Sequence, residues 1–424
     1  MARHSTPRPP SRIGLALAGG GPLGAVYEIG ALCALEEALP DLDFNALDGY
    51  VGVSAGGFVA AGLANGMTPR QLCTSFIEND GPRVDNISPT LFVRPALGEF
   101  ARRAASVPRL LAHAGLEFAF GRRSLLALLE RLGRALPTGL FSNAALEARL
   151  RQLLSTPGRS DDFRRLERRL VVVATDLDSG ETAPFGLPGW DHVPISRAVA
   201  ASAALPGLFP PVPIDGRWYV DGALKKTLHA RVLLDLGLDL VLCLNPLVPF
   251  DASVDANGRR RHRVLGGADE PIPRLVDGGL PVVLSQTFRS LIHSRLQLGI
   301  KGYEASHPGT DIVLFEPDHR DPEMFLANLF GYSRRRLMAE HAYQQTRADL
   351  RSRRSALGAM LARHGLALDE AVLDDHRRTL LRRPSRGSRL AGLPRSTHAA
   401  RTLRRLDEVL NDLERTLAAH AQAA

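Results

Sequence analysis

Residues 13–66 have the sequence IGLALAGGGPLGAVYEIGALCALEEALPDLDFNALDGYVGVSAGGFVAAGLANG, which contains the same order of elements twice. Residues 13–18 are an apolar run that ends in glycines, and residues 24–39 follow with helical spacing. Residues 48–53 are a second apolar run, and residues 55–66 are a small-residue helical segment. Two strand–turn–helix units this close together predict the α/β class, with a mainly parallel sheet and helices on both faces.

Later segments of the chain extend this pattern. Residues 170–174 and 238–245 are apolar enough to predict buried strands, and residues 181–185 predict a hairpin partner of the first of them. Residues 218–220 predict a short strand after a proline-rich loop. Residues 311–315 predict an additional edge strand.

The sequence also predicts how the chain is divided into domains. We expect one α/β hydrolase-like domain over residues 13–250, with a helical cap at about residues 81–160, where Arg-rich amphipathic spacing replaces strand patterns. Residues 1–12 are expected to be a disordered leader. Residues 251–424 are expected to be a mostly helical, Arg-rich extension.

The composition excludes several classes of protein. The three cysteines, Cys33, Cys73 and Cys243, form no C-x-x-C pair, which argues against a disulfide framework and against a zinc site. No apolar run is long enough to predict a membrane span. The net charge of +8 is compatible with peripheral contact with an anionic membrane surface, and no nucleic acid partner is expected. These features predict a cytoplasmic protein.

The segment Gly52-Val53-Ser54-Ala55-Gly56 matches the pattern G-x-S-x-G. A nucleophile on a tight turn between a strand and a helix needs small neighbours, because larger side chains would clash there. Such a turn exposes the serine hydroxyl at the positive end of the helix dipole. The apolar run before Ser54 and the helical segment after it supply that context, so Ser54 is the candidate nucleophile.

The earlier turn contains Gly19, Gly20, Gly21 and Gly24. Consecutive glycines let backbone N–H groups converge on one point, which suits a developing oxyanion. The same residues match G-x-G-x-x-G, the dinucleotide fingerprint, which expects an acidic residue at the end of the second strand. That strand ends in Ser54 instead, so the dinucleotide hypothesis leaves the serine unexplained.

A serine nucleophile needs a base, and Asp221 is the candidate. It follows an apolar strand and precedes Gly222-Ala223, which places it where open α/β sheets bind their ligands. His192 and His229 are the histidines that remain open as alternatives. An Asp-Gly-Gly sequence begins at Asp277 but lacks the proline-rich approach.

Four blocks of this sequence together resemble the patatin-like phospholipase family. They are IGLALAGGGPLGAVYEIGAL, GVSAGG, ATDLDSGE and SAALPGLFPPVPIDGRWYVDGAL, and they occur in the family's order between about residues 13 and 250. The resemblance implies a three-layer fold and hydrolysis of ester bonds in acyl lipids, with no metal or organic cofactor. It also implies a Ser–Asp dyad, with Ser54 as nucleophile and Asp221 as base. The amides around Gly20 and Gly21 would form the oxyanion hole.

This chain departs from the family's pattern at two places. Leu23 stands where the family commonly has Arg or Lys, and Lys225 and Lys226 follow Asp221 where members often have Asn and Pro. Three other hypotheses therefore stay open from the sequence: a Ser-His-Asp α/β-hydrolase, a dinucleotide-binding oxidoreductase, and a catalytically silent lipid-binding or scaffold protein.

Overall fold

The structure is a computed structural model that describes only part of the chain. The described residues are 10–80, 94–101, 103, 105, 137–253, 261–263, 269–271, 274–321, 325 and 334–381. The expected leader lies outside this part except for residues 10–12. Residues 81–93 and 106–136, which are most of the expected helical cap, also lie outside it.

The strands are short, and most of them are buried. They are β1 (Ile13–Leu17), β2 (Gly49–Val53), β3 (Arg169–Asp176), β4 (Thr182–Phe185), β5 (Val212–Ile214), β6 (Arg217–Asp221), β7 (Leu240–Leu244), β8 (Arg261–Arg263), β9 (Asp269–Pro271) and β10 (Asp311–Phe315).

The helices differ widely in length. They are α1 (Gly21–Ala38), α2 (Ala55–Ala64), α3 (Pro69–Leu72), α4 (Ala144–Leu154), α5 (Ile195–Ser202), α6 (Arg231–Leu234), α7 (Gly279–Ser306), α8 (Arg335–Ser352), α9 (Arg354–Ala362) and α10 (Glu370–Asp374). Among the residues described, no helix combines the length and the apolarity that crossing a bilayer requires.

The main sheet has the strand order β10-β7-β1-β2-β3-β6-β5, and β4 pairs with β3 outside this path. The pairs from β10 to β3 are parallel, whereas β4 and β6 each run antiparallel to β3, and β5 runs antiparallel to β6. Helices cover both faces: α2 packs on β2 from one side, and α6 and α7 contribute to the core on the other. The predicted α/β class with a mainly parallel sheet is confirmed.

The compact unit that contains this sheet continues past residue 250 to Leu380. Strand β10 extends the sheet by pairing in parallel with β7, which confirms the additional edge strand. Helix α8 packs along α1, and the backbones approach so closely that a Cβ on Gly30 would lie 2.5 Å from the carbonyl oxygen of Ala339. The expected extension therefore contributes a strand and a helix to the core.

Candidate active site

Ser54 occupies the single-residue turn between β2 and α2. Its backbone has φ 54° and ψ −119°, a positive φ that side chains other than glycine rarely adopt. The residue is the N-cap of α2, yet its side chain caps no helix amide. The hydroxyl is therefore available for another partner, and the turn holds it at the helix N-terminus.

The glycines of the G-x-S-x-G turn are required by close backbone contacts. A Cβ on Gly52 would lie 2.4 Å from the carbonyl oxygen of Gly56, and a Cβ on Gly56 would lie 2.6 Å from that of Ala18. The end of β2, the start of α2 and the residue after β1 therefore pack too closely for side chains at these glycines, as the sequence predicted for this turn.

Asp221 is the last residue of β6, and its carboxylate is buried beside Ser54. Strand β6 pairs antiparallel with the end of β3, with Asp221 opposite Ala174. Because Val53 lies opposite Val173 in the parallel β2–β3 pair, the two registers bring Asp221 to the level of Ser54. The Ser54 side chain lies next to this carboxylate and is one of the groups that lower its pKa.

The surroundings of Asp221 raise its pKa from 3.8 to about 6. Burial is the main cause, because a carboxylate loses hydration in the interior. Two neighbours oppose it: the Ala223 amide, which donates to Oδ1 at 2.9 Å, and the Ser54 side chain. The group is thus a stronger base than an exposed aspartate and is mostly ionised above pH 6.

The first glycine turn lies against both of these residues. A Cβ on Gly19 would be 3.3 Å from the Cβ of Ser54 and 3.0 Å from that of Ala223. Gly20 is the N-cap of α1, which begins at Gly21, where φ is 62°. Within the described part of the chain, the Gly19 and Gly20 amides donate to no backbone carbonyl.

Gly24 differs from the other glycines of this turn. Its amide donates to the carbonyl oxygen of Gly20 at 3.0 Å as part of the first turn of α1. The helix starts earlier than the sequence indicated, because α1 begins at Gly21 and not at Gly24. The Gly24 amide is therefore engaged within the helix, while a Cβ there would lie 3.2 Å from Pro246.

Gly222 allows the turn after Asp221 to pack closely on the sheet. A Cβ on this residue would lie 2.3 Å from the carbonyl oxygen of Val173 and 3.1 Å from a methyl group of Val53. The Asp-Gly-Ala sequence is thus explained by packing of the Asp221 turn directly on β2 and β3.

Ser202 is a residue of this site to which the sequence analysis assigned no role. Its Oγ accepts a hydrogen bond from the Ser54 amide at 2.7 Å and donates one to the carbonyl oxygen of Val173 at 2.6 Å. It lies at the end of α5 and is fully buried. Only its place in the SAALPG block hinted at it, since a buried serine in a small-residue helix carries no signal of its own.

The sequence offered three further candidates, which are His192, His229 and Asp277. The His192 Nε2 lies 2.7 Å from Asp215, and both side chains are exposed. His229 is buried, which together with Lys226 lowers its pKa to about 4, and its Nε2 has no hydrogen-bond partner. Asp277 is exposed in a short 3₁₀ turn before α7.

The structure also shows where two residues that depart from the family pattern, Leu23 and Lys225, are placed. Leu23 is buried in the first turn of α1, where its side chain packs in the core. The Nζ of Lys225 donates to the carbonyl oxygen of Gly180 at 2.8 Å and pairs with Glu181 at 3.0 Å. This lysine therefore ties the segment after Asp221 to the β3–β4 hairpin.

Comparison with known families identifies a match over this part of the chain. The sequence model of the family described as Patatin-like phospholipase matches residues 15–234, somewhat more than half of the 424 residues. The match includes both glycine turns, Ser54, Ser202 and Asp221.

Two solved structures are similar to this chain. VipD from Legionella pneumophila has 18% sequence identity and a TM-score of 0.32, with 78% of this chain and 67% of that chain covered. ExoU from Pseudomonas aeruginosa, in its complex with SpcU, has 20% identity and a TM-score of 0.26, with 71% of this chain and 53% of that chain covered. This chain spans about half the length of ExoU.

Proposed function

The chain belongs to the patatin-like phospholipase family, and from this premise we propose that it is a serine hydrolase of carboxylic esters in lipids. In this proposal Ser54 and Asp221 act as a two-residue dyad, and the reaction passes through an acyl-enzyme. The observation that carries it is the burial of the Asp221 carboxylate beside the Ser54 side chain, which lies at a strained strand–helix turn.

The chemistry of the dyad follows from these contacts. Asp221 takes the proton as the Ser54 oxygen forms a bond to the ester carbonyl carbon. The negative charge that develops on the carbonyl oxygen is stabilised by amides of the Gly19–Gly21 turn. The tetrahedral intermediate then expels the alcohol, which receives the proton from Asp221. Water, deprotonated by the same carboxylate, cleaves the acyl-enzyme and releases the fatty acid and Ser54.

The test combines covalent labelling with substrate turnover. A fluorophosphonate probe should label the wild type, and Ser54→Ala should abolish labelling and lower ester hydrolysis by about a thousandfold or more. Asp221→Asn should be nearly as damaging, because an amide cannot accept the proton. Asp277→Asn is the matched control, since it changes an exposed aspartate that, like Asp221, precedes a glycine. Activity retained by Ser54→Ala would contradict the proposal.

Probe labelling and substrate turnover of variants also distinguish the dyad from the rival hypotheses. A Ser-His-Asp hydrolase requires that replacing His192 or His229 alone abolish turnover, whereas the dyad predicts that exposed His192→Gln keeps full activity. A catalytically silent lipid-binding protein predicts no probe labelling of the wild type, together with binding of lipid that Ser54→Ala leaves unchanged.

The outward face of α7 supports peripheral contact with a lipid surface. Its exposed apolar side chains fall within an arc of about 140° on the helix, and they are Leu280, Val283, Leu284, Phe288, Leu291 and Leu298. The exposed Arg295 lies within this arc and the exposed Lys301 lies at its edge, which suits anionic headgroups. Arg295 also donates to the carbonyl oxygen of Leu224, so the face borders the segment after Asp221.

We propose that this α7 face docks on anionic phospholipid, and vesicle sedimentation tests it. The double variant Leu284→Glu, Leu291→Glu should lose binding to vesicles that contain phosphatidylserine while it retains hydrolysis of a short soluble ester. Leu337→Glu is the control, because Leu337 is an exposed leucine of α8. Unchanged vesicle binding by the double variant would contradict docking through α7 without affecting the dyad.

A further inference from the structure

A second cluster of polar side chains lies at the carboxyl ends of β7 and β10, where the inner face of α7 meets the sheet. It consists of His293 on α7 and of Glu316 and His319, which follow β10. One ligand atom from each of the three side chains lies within 4.8 Å of the others. None of these residues belongs to the Ser54–Asp221 site.

The contacts of His293 are unusual for a buried histidine. The residue is 7% exposed, yet its Nδ1 has no hydrogen-bond partner. That nitrogen lies 3.5 Å from Oε1 of Glu316, which is too long for a hydrogen bond. Two ligands of a tetrahedral ion with bonds of about 2.0–2.1 Å would lie about 3.3 Å apart, close to the observed separation.

The second nitrogen of each imidazole is held by a neighbouring polar group. The Nδ1 of His319 lies 3.1 Å from the carbonyl oxygen of Pro249, and a proton donated there leaves the lone pair on Nε2. The Nε2 of His293 lies 2.8 Å from the amide nitrogen Nε2 of Gln297. A half-turn of that amide group would bring its oxygen to this place, where it accepts an Nε2–H and leaves the lone pair on Nδ1. Hydrogen bonds of this kind orient histidines that bind metals.

The carboxylate is oriented in the same way. Oε1 of Glu316 accepts a hydrogen bond from Nδ2 of Asn245 at 2.7 Å, and Asn245 in turn contacts the backbone of Leu247. Two imidazoles and one carboxylate are a donor set that suits divalent ions such as Zn²⁺, with the fourth position left to water.

We propose that His293, Glu316 and His319 form a binding site for a divalent transition metal ion, with Zn²⁺ as the expected occupant. The ion would join α7 to the ends of β7 and β10. It would also sit behind the first glycine turn, because Pro246, next to Asn245, contacts Gly20 and Gly24. The ion has no part in the dyad's chemistry in this proposal, since the dyad needs no metal for its proton transfers.

Metal content and cobalt spectroscopy of the full-length, tag-free protein test the site. We expect about one zinc ion per chain after growth with zinc. When the zinc is removed by a chelator and Co²⁺ is added, the intense visible absorption of four-coordinate cobalt should appear. This measurement on the wild type does not depend on whether a variant folds.

Variants then assign the ligands. His293→Gln and His319→Gln should each lower zinc affinity by more than about tenfold and remove the cobalt absorption. His192→Gln is the matched control, since His192 also lies beside a carboxylate but is exposed. The site is refuted if the wild type binds neither Zn²⁺ nor Co²⁺, or if the control variant loses as much metal as the other two.

Discussion

At the scale of single residues, Asp221 is a carboxyl group that the fold withdraws from water. It is 3% exposed, and the Ala223 amide donates a hydrogen bond to it. A buried carboxylate with so few donors is costly in its ionised form, which is why the pKa rises. The same property that makes it a useful base therefore lowers the stability of the folded state.

The raised pKa predicts opposite effects of pH on activity and on stability. Because the dyad needs ionised Asp221, kcat/KM should rise with pH through about 6 and then level off. The folded state binds more protons than the unfolded state between pH 4 and 6. The free energy of unfolding should therefore fall across that range, by about 3 kcal/mol for a shift of about two units.

Asp221→Asn separates these two effects. The amide cannot ionise, so the variant should be more stable than the wild type near neutral pH by about 1–3 kcal/mol while it is inactive. The difference should shrink near pH 4, and urea unfolding at both pH values measures it. A variant that is less stable than the wild type at neutral pH would show that ionised Asp221 does not destabilise the folded state.

Ser202 is predicted to be a positioning residue for Ser54. Its hydroxyl links the Ser54 amide to the carbonyl oxygen of Val173, so Ser202→Ala should let the strained turn relax. We expect kcat and the fluorophosphonate labelling rate to fall about 10- to 100-fold with little change in KM.

Ser196→Ala is the matched control for this prediction. Ser196 is a fully buried serine of the same helix, but its hydroxyl donates to Asp161 at 2.8 Å. Its loss should cost stability and leave kcat unchanged. Equal kcat losses in the two variants would indicate that α5 as a whole, and not the Ser202 hydroxyl, supports Ser54.

At the scale of elements, α1 shows why a helix of this fold needs small residues in its middle. Helix α1 packs against α2 and α8, and Gly30 is the point of closest approach to the α8 backbone. Its sequence predicted a helix but showed no clear polar face. The structure explains this pattern because neighbouring elements bury most of its surface.

Substitution at Gly30 should therefore destabilise the protein. A Cβ there would lie 2.5 Å from the carbonyl oxygen of Ala339, and backbone must move to accommodate it. We expect Gly30→Ala to lower the free energy of unfolding by about 1–3 kcal/mol. Gly302→Ala on α7 is the control: a Cβ at Gly302 meets nothing within 4 Å, so it should raise stability by about 0.5–1 kcal/mol.

At the scale of the whole molecule, β10 and α8, which lie late in the chain, pack against β7 and α1. Strand β7 is buried along its entire length because β1 and β10 flank it. The buried side chains of α8 include Met338, Ala342 and Tyr343, and Tyr343 donates to Glu37 near the end of α1. Strand β10 and helix α8 therefore complete the packing of the sheet that carries Ser54 and of α1 beside it.

Truncation tests this dependence. A chain that ends after residue 250 lacks β10 and α8, so we expect it to lose cooperative thermal unfolding and to expose hydrophobic surface. A chain that ends after Leu381 keeps every described contact and is the control. Cooperative unfolding of the shorter chain would show that residues 13–250 form an independent domain.

The sequence by itself determined the local features of this protein. Both glycine turns, the strand–helix units around them, the α/β class and the family could be inferred from it, because these features depend on neighbouring residues and on the order of short motifs. Asp221 could be named for the same reason, as the residue after a short apolar strand and before Gly222.

Only the tertiary structure decided how these parts meet. Strand β6 runs antiparallel to β3, and this register, which no local pattern encodes, brings Asp221 to Ser54. The Ser202 hydrogen bond spans 148 positions of the chain. Such contacts depend on packing between distant segments, and packing is a property of the folded chain that short sequence patterns do not specify.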